Sequence, residues 1–355
     1  MTTLLVLAAG SLGAEERLEL PGWVDPIVIE LPENYDPAKK WPLLYSWHGP
    51  VGGPQNKVVK EASRHRDWIL VALAYTKKEL LGVHDVSEIQ QEIAVWQENR
   101  PEIEKRFSVD PGRIFVSGYY TGSWVAAMAM SEVPELAGCL MIGAGFLDRH
   151  ALPKASLVRG KPIYIGVGST YENHLPSFRA KERFQAAGAQ VIWDPWDFHY
   201  KEVPRREEEI AEKPAMRQWM RLVSGEEDPE ALREEAANWG RTRLEEISAL
   251  EDVAERIRRL KRFREQPFAR LFGAPLERSI EGRLRALGNS DRGARELRAW
   301  DEYERLLQAE LRDRSRAASE DYLARYTRLT QEMTGSPVAI FAEAERKRIG
   351  ATLGR

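Results

Sequence analysis

Between residues 27 and 196 the chain repeatedly lays down a short apolar run, breaks it, and resumes after a helix-like stretch. Ile27-Val28-Ile29-Glu30-Leu31 stops at Pro32-Glu33-Asn34, and Leu43-Leu44-Tyr45-Ser46-Trp47 stops at His48-Gly49-Pro50. Residues 68–73, 113–117, 139–142, 163–167 and 191–193 continue the series. A strand with one wet face alternates polar and apolar residues, whereas a strand covered on both faces need not. Nearly continuous apolar strands separated by helices therefore predict an α/β fold, a mostly parallel sheet with helices on both faces. The first long helix is expected from about 87 to 107, with Ile89, Ile93, Trp96 and Ile103 on one face. Ser87 would cap it, Gln90 would complete a capping box, and Pro101 would kink or divide it. A small-residue helix is expected through 125–130 and another around 177–187.

Composition excludes several classes. The 355 residues are 43% hydrophobic with 11 Trp, 11 Tyr and 10 Phe, which suits a real core and not a disordered chain. A net charge of -3 offers no basic footprint for nucleic acid, so no nucleic-acid partner is expected. The lone Cys139 excludes an internal disulfide and any multi-cysteine metal centre. His65, His84, His150 and His174 lack paired ligand spacing, so no metal or cofactor is expected. No apolar run reaches the roughly 18 residues of a transmembrane segment. Leu4 to Leu12 is nevertheless apolar, with small residues around Ser11 to Ala14 before Glu15-Glu16. That pattern is expected for a signal peptide over 1–14 and for export, periplasmic or extracellular. Met1-Thr2-Thr3 lacks the basic n-region, and the alternative is a buried first strand.

At Gly225 the texture changes. Residues 225–355 hold 26 basic and 26 acidic residues, and 24 of the basic ones are Arg. Leu244, Ile247, Leu250, Val253, Ile257 and Leu260 recur at helical spacing, as do Leu297, Trp300, Tyr303 and Leu307, then Tyr322, Tyr326 and Leu329. Breaks at Gly273-Ala274-Pro275, Gly288-Asn289-Ser290 and Gly335-Ser336-Pro337 predict two or three long helices. The organisation expected is thus an α/β domain over 15–224 and a charged helical region over 225–355. The dense Arg and Glu are read first as a solvated face laced with i,i+4 pairs.

The segment with most chemical content is Arg113-Ile-Phe-Val-Ser-Gly-Tyr-Tyr-Thr-Gly-Ser-Trp. A buried strand enters a tight turn and leaves as a small-residue helix, the setting of a nucleophile elbow, G-x-S-x-G. Gly118 and Gly122 are both present, and Tyr120 stands at the serine position. Residues 24–223 resemble secreted α/β-hydrolases of the esterase, polyhydroxyalkanoate-depolymerase and feruloyl-esterase type. The resemblance rests on Leu31-Pro32-Glu33-Asn34-Tyr35-Asp36, Trp41-Pro42-Leu43-Leu44, His48-Gly49, and Val109-Asp110-Pro111-Gly112-Arg113-Ile114 before the elbow.

That resemblance implies an α/β-hydrolase fold and the chain order nucleophile, acid, histidine. It places Tyr120 at the nucleophile position, Tyr171 or Glu172 at the acid position, and His199 at the base position. The oxyanion hole would use the backbone N–H groups of Thr121 and Gly49, but Pro50 follows Gly49 and has no N–H. Trp47 and Trp196, with Trp124 and Trp193, fall near strand ends, where they would wall a ligand site or pack the core. The expected function is an exported, catalytically impaired esterase-like protein that binds a small ester or carbohydrate-like ligand or a protein partner. The alternatives are an active carboxylic-ester or carbohydrate-ester hydrolase with an unusual nucleophile, and an interaction protein whose C-terminal helices hold a protein partner.

Overall fold

The computed structural model describes residues 15–50, 53–78, 85–145, 153–168, 173–196, 214–265 and 274–354. Its eight strands are β1 (Glu15–Leu18), β2 (Ile27–Glu30), β3 (Trp41–Trp47), β4 (Ile69–Leu73), β5 (Val109–Tyr119), β6 (Gly138–Ile142), β7 (Pro162–Gly168) and β8 (Gln190–Trp196). They form one mixed sheet in the order β1-β2-β4-β3-β5-β6-β7-β8. β1 and β2 pair antiparallel, as do β2 and β4, while β3 pairs parallel with β4 and β5, and β5 pairs parallel with β6. This is the α/β-hydrolase arrangement. The apolar runs of the sequence become its central strands, and every residue of β3, β4 and β6 is buried.

The described residues fall into two compact units. One is drawn from Met1–Tyr164, Arg183–Val191 and Val203–Glu227, the other from Ile165–Glu182, Ile192–Glu202 and Asp228–Arg355.

In the first unit the connecting helices are α1 (Lys57–Ala62), α2 (Val86–Glu104), α3 (Thr121–Glu132) and α4 (Ala155–Val158), and α6 (Pro214–Ser224) follows β8 in the chain. α5 (His174–Ala186) lies between β7 and β8 in the chain. Two expectations for α2 need correction. Its cap is Asp85, whose carboxylate accepts from the Ser87 N–H at 2.9 Å, so Ser87 is inside the helix. Pro101 does not divide it: α2 runs on to Glu104, and the missing proline N–H costs only the bond to the Gln97 carbonyl one turn back. The Asp110–Arg113 stretch holds the fold together locally. Asp110 accepts from the Gly112 N–H at 2.9 Å and pairs with Arg113 at 2.7 Å. Arg113 reaches Glu226 at 2.8 Å and donates to the Lys40 carbonyl at 2.8 Å. It thereby ties the start of β5 to the segment before β3 and to the end of α6. Trp68, Phe115 and Trp219 meet edge-on in the core between them.

The second unit contains six helices from residue 229 on, among the described residues: α7 (Pro229–Ser248), α8 (Val253–Glu265), α9 (Ala274–Leu287), α10 (Asp291–Arg312), α11 (Arg316–Glu332) and α12 (Pro337–Thr352). The expectation of two or three long helices is therefore wrong. The breaks at 288–290 and 335–337 are found, and two more lie at 249–252 and 313–315. There Asp252 and Ser315 accept from the N–H groups of Glu255 (2.9 Å) and Ala318 (3.2 Å) and start new helices. Leu244, Ile257, Leu260, Trp300, Leu307 and Tyr326 are all buried. Much of the surface charge is paired within one helix, as in Arg243–Glu246, Arg258–Glu255 and Arg346–Glu343.

Candidate active site

The strand–turn–helix at Tyr120 is built as an elbow. β5 ends at Tyr119, α3 begins at Thr121, and Tyr120 between them has φ +52° and ψ −110°. A side chain rarely adopts a positive φ, and a bulky one does so only where its surroundings dictate the backbone. Here the Tyr120 N–H donates to the Ile142 carbonyl at 2.7 Å, and its carbonyl accepts from the Ser123 N–H at 3.0 Å. The flanking glycines let strand and helix touch. A Cβ on Gly118 would lie 2.0 Å from the carbonyl carbon and oxygen of Gly122, and one on Gly122 would lie 2.2 Å from the Trp47 carbonyl oxygen. No side chain fits at either position.

The Tyr120 side chain is half-buried, with its ring 5.6 Å from that of Trp124. The neighbouring hydroxyls are withdrawn. Ser123 is fully buried, its Oγ accepts from the Ile142 N–H at 2.9 Å, and its single hydroxyl hydrogen chooses between the carbonyls of Gly118 (2.6 Å) and Ile142 (2.9 Å). Thr121 is 2% exposed. Its N–H sits at the first helical position, where the helix supplies no acceptor.

Gly49 follows β3 and is held close: a Cβ there would come within 2.9 Å of the Tyr119 ring. His48 faces this loop. Its Nδ1 donates to the Gly49 carbonyl at 2.7 Å, and its ring lies edge-on to Tyr75, 4.6 Å between centroids. Burial lowers the His48 pKa, against the backbone bond to Gly49, which raises it. The Tyr75 hydroxyl donates to the His48 carbonyl. A cavity of about 30 Å³ lies against Trp47, Gly49, Val59, Tyr119 and Ile142, the share of volume of one liquid water.

The remaining expected positions divide in two. Tyr171 and Glu172 follow β7 in the chain and His199 follows β8, and all three lie outside the described residues, as does the expected signal peptide over 1–14. Trp47 and Trp196 are described and closed from solvent, at 0% and 2% exposure. Trp47 packs edge-on to Trp96 at 5.5 Å, and the Trp196 indole donates to Asp194 at 3.2 Å. Both are packed among neighbouring side chains in the described structure.

No protein-family model matches the chain, and no curated protein matches it. Solved structures similar to it include a thermostable esterase (15% identity, TM-score 0.44), covering 59% of this chain and 62% of that one. The chain therefore spans under two thirds of that protein's length. The Bacillus cereus carboxylesterase (18% identity, TM-score 0.43) is covered over 91% of its length and 52% of this chain. A hyperthermophilic esterase from the archaeon Pyrobaculum calidifontis (12% identity, TM-score 0.43) is covered over 85%, against 59% of this chain. Those activities belong to those proteins.

Sequence reasoning missed a polar cluster in the second unit, where His174, Arg262, Tyr303 and Glu345 are all buried. His174 looked unremarkable for want of a second ligand nearby in sequence. Its neighbours come from 88, 129 and 171 residues further along the chain. Among the described residues no group of three or more His, Cys, Asp or Glu could hold a metal ion, and no helix is long and apolar enough to cross a membrane.

Proposed function

We propose that the protein is an exported, esterase-like α/β-hydrolase scaffold that lacks efficient acyl-transfer chemistry and acts by binding a ligand or partner. One observation carries this reading: the elbow backbone is intact and its apex residue is Tyr120. Acyl transfer needs a small hydroxyl held within attack distance of the substrate carbonyl and of a base. A phenol oxygen lies roughly 6.5 Å from its own Cα, so it overshoots a position laid out for a serine oxygen. The burial and bonding of Ser123 and the burial of Thr121 argue against a neighbouring hydroxyl as substitute. Pro50 beside Gly49 argues for a weakened oxyanion hole.

The test is direct. The full-length protein is expected to show negligible hydrolysis of p-nitrophenyl acetate and no labelling by a fluorophosphonate probe. Robust labelling abolished by His199→Ala would overturn the reading. Tyr120→Ser alone should restore little, since a base without its orienting acid is about 10⁴-fold slower in the serine-protease template. Tyr120→Ser with Tyr171→Asp should exceed either single change, because such residues act as a unit. Export rests on the apolar stretch Leu4 to Leu12, and N-terminal sequencing of protein recovered from the source cell's exterior or periplasm should begin near Glu15.

A further inference from the structure

The second unit holds a half-open cavity of about 670 Å³, inside the roughly 300–1,000 Å³ range of small-molecule sites. Phe178, Trp193, Trp300 and Tyr303 line it with Arg262 and Lys261. Lys261 is already matched, by Asp301 at 2.9 Å and Glu304 at 2.8 Å. Arg262 is not. One of its terminal nitrogens, Nη1, donates to Glu265 at 3.0 Å, and the guanidinium lies 5.8 Å from the Trp300 ring and 4.9 Å from that of Phe341. Its Nε and Nη2 are buried and have no protein partner. Those two atoms form one edge of the guanidinium, the edge that takes both oxygens of a carboxylate. The Trp300 indole N–H and the Tyr303 hydroxyl, also cavity residues, are buried and unpartnered as well.

Buried donors are almost always satisfied. The wall also carries the carboxylates of Glu265, Glu277, Glu281, Asp301 and Glu304, so the ligand that fits must bring acceptors to the unpartnered donors without crowding those acids. An anion brings acceptors alone. A dianion would also face the carboxylates of Glu265, Glu277, Glu281, Asp301 and Glu304, so a single negative charge fits better. The aromatic side chains suit a flat apolar body.

We propose that this cavity binds a small aromatic monocarboxylate, its two oxygens on the Nε–H and Nη2–H of Arg262 and its ring among the aromatic walls. The donor atoms of these lining residues are closed from solvent, so binding requires a side chain beside them to turn. The inference rests on residues of the second unit alone and stands or falls independently of the Tyr120 reading.

The experiment uses the full-length protein with benzoate and indole-3-acetate as probes, and benzamide and phenyl phosphate as controls, by saturation-transfer NMR and calorimetry. At least one carboxylate should bind saturably, with benzamide at least about tenfold weaker, because it lacks the charge the fork recognises. Arg262→Lys should weaken carboxylate binding at least about tenfold, since an ammonium cannot present two parallel donors, while Tyr120→Ser should not change it. If Arg262→Lys does not melt cooperatively, Tyr303→Phe decides in its place, with weaker binding expected. Absence of binding by both carboxylates up to about 10 mM overturns the proposal. Tighter binding of phenyl phosphate, or unchanged affinity in the deciding variant, overturns it equally.

Discussion

Tyr120 holds φ +52° although a tyrosine gains nothing in a region where its Cβ crowds the backbone. The conformation is imposed by the bond to the Ile142 carbonyl and by the close approach of Gly118 to Gly122 and of Gly122 to Trp47. Gly118→Ala and Gly122→Ala should each cost about 3 kcal/mol or more, or prevent folding, because the added carbon meets backbone that cannot step aside. Gly53→Ala, with nothing within 4 Å of the new carbon, should stay within about 0.5 kcal/mol in urea unfolding. His174 supplies the second test at this scale. It is buried, and burial, with the charges of Arg262, Arg348 and Lys181, pushes its pKa down to about 3. The ring is therefore neutral at pH 7, and its 3.9 Å approach to Glu345 is not an ion pair. Unfolding restores a pKa near 6.5, so between these values the unfolded chain binds the extra proton and stability falls as pH falls. The loss amounts to at most about 5 kcal/mol, complete near pH 3. His174→Phe should flatten that part of the stability–pH curve. An unchanged slope would show that the ring charges freely in the folded state.

Single elements follow rules of their own. α2 begins on the Asp85 carboxylate, while the Ser87 hydroxyl points back to the same group. Asp85→Ala should therefore destabilise by about 1 kcal/mol, and Ser87→Ala by clearly less, a difference that thermal melts of the two variants resolve. Ser315 caps α11 through the Ala318 N–H, so Ser315→Ala should also cost about 1 kcal/mol. The missed breaks at 249–252 and 313–315 share a cause. Neither contains glycine or proline, and each is a helix start written in one aspartate or serine. Such a signal is weak beside the run of good helix formers around it.

For the whole molecule, residues 165–182 and 192–202 belong to the same compact unit as 228–355. Ending the chain at Ser224 would remove Glu345, Arg262 and Arg348 from around His174 and expose apolar surface of the unit they share. The shortened protein should bind a hydrophobic dye and lose cooperative melting, whereas an unchanged melting temperature would make 228–355 a dispensable appendage. Arg348 with Glu310 and Arg325 with Glu302 pair charges between helices of that unit.

The alternation of apolar strands with helices, and a turn flanked by Gly118 and Gly122, were legible in the sequence because both are local. Strand burial is written in consecutive residues, and an elbow in five. What the sequence left open is pairwise between distant segments. Whether Trp47 faces a cleft or a second tryptophan depends on α2, and whether the Arg262 guanidinium is matched depends on α10 and α12 as well as its own helix. Burial sets the strength of every polar interaction in such places, and burial is a property of packed segments that no single segment carries.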